Sequence, residues 1–204
     1  MVQNKKTARR GRPRAYDPQA ALLQATDAFW KSGYAGTSLD DIAAATGMNR
    51  PSLYAAFGDK QKLYLKALAH YSELRHAEIR AALASDRPLP EALMSVYEAA
   101  LSIYFSGDAR PRGCLVVGTA VTEAVEDSKV RSNLAEGILA FDADFEARFQ
   151  RSQKNGELKR DADPAALAVL ATATMHTIAI RARAGIPRCD LLELARKTVK
   201  AICG

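Results

Sequence analysis

Cysteine is scarce: Cys114, Cys189 and Cys203 are the only three in 204 residues, odd in number and widely spaced. That pattern suggests neither a disulfide framework nor a zinc site. Histidine is equally rare, and His70, His76 and His176 do not stand at metal-ligand intervals with those cysteines. There is no glycine-rich phosphate loop, and Glu123 is a lone carboxylate rather than part of a constellation, so the chain does not read as an enzyme. No metal and no cofactor is expected. No uninterrupted apolar stretch reads as long enough to span a membrane, and no apolar region follows the basic N-terminus. The expectation is a soluble, cytoplasmic protein with no membrane partner. Strand-like runs are also few, and the aliphatic, alanine-rich composition predicts an all-α protein of about nine helices.

Acidic residues are missing from one place in particular. Residues 1–14 carry Lys5, Lys6, Arg9, Arg10, Arg12 and Arg14 and no acid, which accounts for the whole formal net charge of +6. The remaining chain is neutral, so the charge is concentrated in an arm rather than spread over a surface. Residues 1–16 have almost nothing apolar to bury and are expected to be disordered when free. Within them Arg10-Gly11-Arg12-Pro13-Arg14 resembles the core of an AT-hook. Glycine permits close approach, proline keeps the chain extended, and arginines seek the negative potential of a narrow minor groove. The alternative is a generic basic tail that adds non-specific phosphate attraction.

Asp17 and Pro18 open a first helix whose Leu22, Ala25 and Phe29 form an apolar stripe, with Gly33 closing it. Trp30 and Tyr34, beside that stripe, read as packing residues. From Thr37 to Phe57 the chain reads as two short helices joined by a glycine-bearing turn. Ser38 is a good N-cap, and Asp41 supplies an acid in the first turn, where the helix dipole favours it. Gly47 can take the left-handed conformation that ends the first of the pair. Asn49 caps the second, where Pro51 is tolerated. Leu53 and Phe57, four apart, face inward. Pro51 and Ala55 point away, flanked by Ser52 and Tyr54, and this flat outward face lets the backbone approach a major groove. A helical hairpin within an ordinary bundle is the competing reading. Asp59 caps a further helix whose first turn holds Lys60 and Lys62, the wrong sign for its dipole unless a phosphate binds there. Otherwise the lysines simply extend into water.

The run T-S-L-D-D-I-A-A-A-T-G-M-N-R-P-S-L-Y-A-A-F-G-D-K-Q-K-L resembles the DNA-binding domain of the TetR family of transcriptional regulators. The resemblance covers about residues 17–66, and its L-Y-x-x-F-x-x-K segment after the two short helices is fairly specific. The rest of the chain matches only in length and helical character. By position, the resemblance implies that Thr37 and Ser38 touch phosphate. Arg50, Ser52 and Tyr54 would lie in or beside the groove, Asn49 counts among the DNA contacts, and Lys60 would hold backbone phosphate. Ala55 and Ala56 depart from bulkier residues common in the family. The implied function is a dimeric regulator, most simply a repressor, on a palindromic stretch of double-stranded DNA, released by a small-molecule or electrophile signal. The alternative is an effector-independent architectural DNA-binding protein that uses the basic arm.

The expected organisation is an arm (1–16), a three-helix DNA-binding domain (17–62) and a larger helical effector-binding and dimerisation domain (63–204). In the last, a long helix runs from Lys60 to about Leu83, and others cover 91–105, 128–154, 163–184 and 190–203. Residues 113–122 carry no charge and read as a helix buried mid-domain. The terminal helix has apolar residues on more than one face, so the last two helices are expected to pair with a second copy as a four-helix bundle. Candidate pocket residues for an unidentified small molecule are Tyr71, Tyr97, Tyr104, Cys114, Phe141, Phe145, Met175 and His176, with core packing the alternative for each. Cys114 follows Arg110-Pro111-Arg112-Gly113, so cationic neighbours and a helix N-terminus would lower its pKa and suit a thiol switch. A small apolar core residue is the other reading.

Overall fold

The computed structural model describes residues 17–106 and 110–204, and these form nine α-helices and no strand. The arm, with its Arg10, Arg12 and Arg14, lies outside the described residues. The first three helices are α1 (Pro18–Ser32), α2 (Leu39–Thr46) and α3 (Arg50–Phe57). Each begins where a short polar side chain accepts an otherwise unpaired first-turn N–H. Asp17 accepts from Gln19, Ser38 from Asp41, and Asn49 from Ser52. Ser38 and Asp41 complete a reciprocal capping box, because the Asp41 carboxylate accepts the Ser38 amide at 2.8 Å. Gly47, at φ 64°, supplies the left-handed residue that turns the chain from α2 into α3.

Helix α4 (Lys60–Ala84) follows, capped by Asp59, and is long enough to serve two cores. Its first half packs Leu63, Tyr64, Ala67 and Leu68 with Phe29, Ile42, Leu53 and Phe57. Its second half packs Ile79 and Leu83 with α5 (Leu89–Tyr104), the C-terminal half of α7 (Ser128–Lys154), α8 (Pro164–Arg183) and α9 (Arg188–Cys203). At its far end Arg151 of α7 donates to the carbonyls of Leu83, Ala84 and Ser85, satisfying acceptors that α4 cannot satisfy itself.

The uncharged segment after residue 112 is not the buried helix that its composition predicts. It forms a π-helical turn, Val116–Ala120, continued by the short α6 (Val121–Glu123). Leu115, Thr119 and Ala120 are buried, but Val121 and Val125 face outward, more than half exposed. Buried Thr119 donates back to the Leu115 carbonyl at 2.8 Å, an interaction that competes with regular helix pairing.

Helix α8 has the length and apolar composition of a membrane span, a property that core helices share. Ala168, Ala171, Met175, Ile178, Ala179 and Ala182 lie in the core. The opposite side of the helix carries Ala166, Val169, Leu170, Ala173 and Ile180, all exposed. In α9 the expectation of apolar residues on two faces also changes: Leu191, Ala195, Val199 and Ile202 are buried, while Glu193, Arg196, Lys197 and Lys200 face out. The unpartnered apolar stripe therefore belongs to α8.

Candidate nucleic-acid interface

Leu53 and Phe57 anchor α3 in the first core, which leaves Arg50, Pro51, Tyr54 and Ala55 exposed and Ser52 half-buried. Tyr54 is about half exposed (51%), too open to be a packing residue. The outward surface is therefore shallow, with one phenol and one guanidinium standing above a floor of proline, serine and alanine. Arg50 is held across the α2–α3 turn by Asp40, with Nε at 2.7 Å and Nη2 at 2.5 Å from the two carboxylate oxygens. That two-point pair keeps the Asp40 carboxyl below its usual range although both groups face water. Asp40 was not among the residues singled out from the sequence; it lies ten positions from Arg50, and only the turn brings them together.

The other predicted contacts separate into distinct roles. Thr37 is buried, 1% exposed, and its hydroxyl donates to the Gly33 carbonyl at 2.6 Å, so its side chain does not face a phosphate. It locks the α1–α2 connection instead. Ser38 and Asn49 are exposed, but their side-chain oxygens serve as helix caps. Lys60 does not simply extend into water: its ammonium lies 4.3 Å from the centroid of the Tyr34 ring. The dipole penalty at this helix start is met by Asp59, which accepts the Lys62 amide at 2.8 Å.

The long segment from α4 to α8 encloses a cavity of about 400 Å³ between α4, α5, the π turn, α7 and α8. Of the eight pocket residues named from the sequence, Tyr71, Tyr104, Cys114, Phe141, Met175 and His176 line it. Tyr97 and Phe145 do not. Tyr97 is fully buried in the core and donates to the Ala171 carbonyl at 3.1 Å, and Phe145 stacks on Phe149. Arg75, His76 and Glu78 of α4, which no sequence pattern singles out, also line the cavity. His76 lies parallel to Phe141, with ring centroids 3.9 Å apart.

Cys114 sits on the cavity wall and accepts from the Tyr71 hydroxyl at 3.6 Å. Its thiol is pushed up by burial, which outweighs the amides of Val117 and Val116 and the neighbouring Arg75. The expected lowering by flanking arginines does not occur, because Arg112 turns away to pair with Asp27 and to cover the Trp30 ring at 4.6 Å.

Among the described residues no cluster of His, Cys, Asp or Glu could hold a metal ion.

A family model described as bacterial regulatory proteins, tetR family, matches residues 21–67, and one described as a tetracyclin repressor-like C-terminal domain matches residues 90–190. The second match shows that the likeness extends well beyond the N-terminal third. The HTH-type transcriptional repressor ComR of Escherichia coli (strain K12) is 29% identical over 191 residues, spanning 94% of this chain and 91% of ComR. The TetR family transcriptional regulator CifR, solved as a cysteine mutant complexed with 26bp double-strand operator DNA, is 34% identical. It superposes with a TM-score of 0.84 over 93% of this chain and 99% of its own. The reduced form of E. coli NemR shares the fold, with a TM-score of 0.80 at 18% identity over 92% of this chain and 96% of its own.

Proposed function

The chain belongs to the tetR family of bacterial regulatory proteins and is a DNA-binding transcriptional regulator, not an enzyme; from that premise we propose that it acts as a repressor. It would bind a palindromic operator as a homodimer and leave it when a small molecule occupies the cavity. The observation that carries this reading is the shallow exposed face of α3, whose Arg50, Ser52 and Tyr54 would stand at the entrance to a major groove. CifR, with which the chain shares its fold and a third of its residues, was solved on operator DNA. Residues 17–62 form the reading head and residues 63–204 the effector-binding and pairing domain. Arg10, Arg12 and Arg14 would follow the adjacent minor groove, and Lys60 would serve the phosphate backbone.

Pairing is supported by the exposed α8 stripe, which no charged residue interrupts between Ala166 and Ile180. The polar outer face of α9 would form the rim of that interface. Two-fold pairing sets two reading heads about one helical turn of DNA apart. The cavity favours an effector-responsive regulator over an architectural DNA-binding protein, which needs no such space. It also favours a reversibly bound ligand over an electrophile, since burial keeps the Cys114 thiol protonated.

Footprinting on the inverted repeats flanking its own coding region tests this. Protection of one palindrome by two protomers is the expected result. Equal affinity for every duplex sequence would refute it, as would a monomer that still footprints fully after Leu170→Glu.

A further inference from the structure

We infer that the ligand of the cavity is an uncharged, flat, largely apolar molecule carrying a carbonyl oxygen, an aromatic ketone in its simplest form, and that the hydroxyl of Tyr104 receives this oxygen. The inference rests on the effector reading above and narrows it to one chemical class.

Tyr104 ends α5, is only 5% exposed and lines the cavity. Its hydroxyl makes no hydrogen bond with any described residue, whereas the nearby Tyr71 hydroxyl is engaged by the Cys114 sulfur. The backbone at Tyr104 is fixed, because its carbonyl accepts the amides of Arg112 at 2.8 Å and Gly113 at 3.2 Å. The hydroxyl lines the cavity with no described partner, so it is free to bond a ligand there. A second unmatched donor lies in the same wall. The terminal nitrogens of Arg75 are held by Glu78 at 2.7 and 3.0 Å, but its Nε is buried and without a partner. The Tyr104 hydroxyl can donate or accept and the Arg75 Nε can only donate, so a ligand acceptor is the group that suits both, and a carbonyl oxygen has two lone pairs.

Charge decides between a carbonyl and a carboxylate. Glu78 compensates Arg75, and burial keeps His76 and His176 neutral near neutral pH, so no spare cation lines the cavity. An anion would lose its hydration and gain no counter-charge. Shape decides the remainder. The parallel His76–Phe141 pair presents a flat aromatic wall, and Ile79, Ile103, Val116 and Ile138 complete an apolar enclosure. A cavity of about 400 Å³ accommodates two fused rings with a short substituent.

Three probes of one shape test this by calorimetry on the full chain: 2-acetylnaphthalene, 2-ethylnaphthalene and 2-naphthoate. The ketone is expected to bind roughly tenfold more tightly than the hydrocarbon, the worth of one hydrogen bond, and more tightly than the carboxylate. Tyr104→Phe should erase the margin between ketone and hydrocarbon while leaving hydrocarbon affinity unchanged. Tyr97→Phe, which removes a buried hydroxyl outside the cavity, should keep the margin. The inference fails if ketone and hydrocarbon bind equally to the unaltered protein. It fails also if the carboxylate binds best, if the margin survives Tyr104→Phe, or if none of the three binds. Operator binding measured in parallel separates the two readings, since its loss strikes the regulator reading and its retention with failed probes strikes only this one.

Discussion

The hydroxyls of Tyr64 and Thr119 meet at 2.7 Å, both buried, and join the helix that leaves the reading head to the π turn on the cavity wall. Thr119 already donates to the Leu115 carbonyl, so it is the acceptor and Tyr64 the donor. Burial pushes the Tyr64 phenol up to about 12, which keeps it a donor at any ordinary pH. Trp30 makes a parallel tie, donating to the Gly113 carbonyl at 3.2 Å. A ligand that moves the 113–120 segment therefore acts on α1 and α4 directly, through two hydrogen bonds.

Removing either end of the Tyr64–Thr119 bond should have unequal effects. Tyr64→Phe deletes the donor and leaves Thr119 still bonded to Leu115, a loss of about 1 kcal/mol. Thr119→Val strands the Tyr64 hydroxyl in the core and should cost more, about 1–3 kcal/mol. Thermal melts should rank Thr119→Val below Tyr64→Phe, and the double variant should lose less than the two singles combined. Identical melts for both singles and the parent would show that the bond contributes nothing.

Two glycines of the same segment differ in a way that denaturant titration can detect. Gly113 has φ 63°, and a methyl group there would overlap the Ala179 backbone carbonyl. Gly118 has ordinary backbone angles, and its methyl group would meet the guanidinium end of Arg183, which can swing aside. Gly113→Ala should cost about 1–3 kcal/mol or more, from backbone strain and collision together. Gly118→Ala should cost less than about 1 kcal/mol. The reverse order would mean that the Gly113 turn relaxes more easily than its packing indicates.

Local chemistry made most of the helices legible in advance. Asp127 and Asn155 bracket α7 where the sequence pattern placed its ends, and caps at Asp17, Ser38, Asn49 and Asp59 mark four starts. The π turn was not legible, because a wider helical period leaves no trace in a run of small and β-branched residues. The pocket was legible only in part. Tyr97 and Tyr104 lie seven positions apart on one face of α5, so periodicity cannot say which meets the cavity and which meets α8. Thr37 misled for a similar reason: its type suits a phosphate contact, yet it folds back onto the end of α1.

On the reading face, Arg50 and Asp40 should have opposite effects. Arg50→Ala should weaken binding by about 1–3 kcal/mol on an operator and less on random duplex. Asp40→Asn removes a negative charge from the same surface and frees the guanidinium, so it should tighten binding to every duplex. An exposed pair contributes little to folding, so neither change should move the melting temperature appreciably. Lys60→Ala should weaken all sequences alike and reduce the salt slope by about one. Sequence-selective loss from Lys60→Ala would mean that Lys60 reads bases rather than phosphate.

The two histidines of the cavity wall should make stability pH-dependent in a defined direction. Burial lowers His76 and His176 from 6.5, more than Asp144 raises the first or Asp142 the second, while Arg80 adds to the lowering at His76. The unfolded chain therefore takes up protons at a pH where the folded chain does not. Stability contributed by the neutral imidazoles is complete above about 6.5 and falls as pH drops through that value toward the lower folded pKa. Melts between about pH 5.5 and 7.5 should show the parent losing stability on the acid side, with a flatter profile in the His76→Gln, His176→Gln double variant. His76 couples to α7 through the Phe141 stack, so its protonation would also put a charge on the flat cavity wall. Ketone affinity should therefore fall over the same pH range, and a ligand affinity independent of pH there would place the bound ring away from His76.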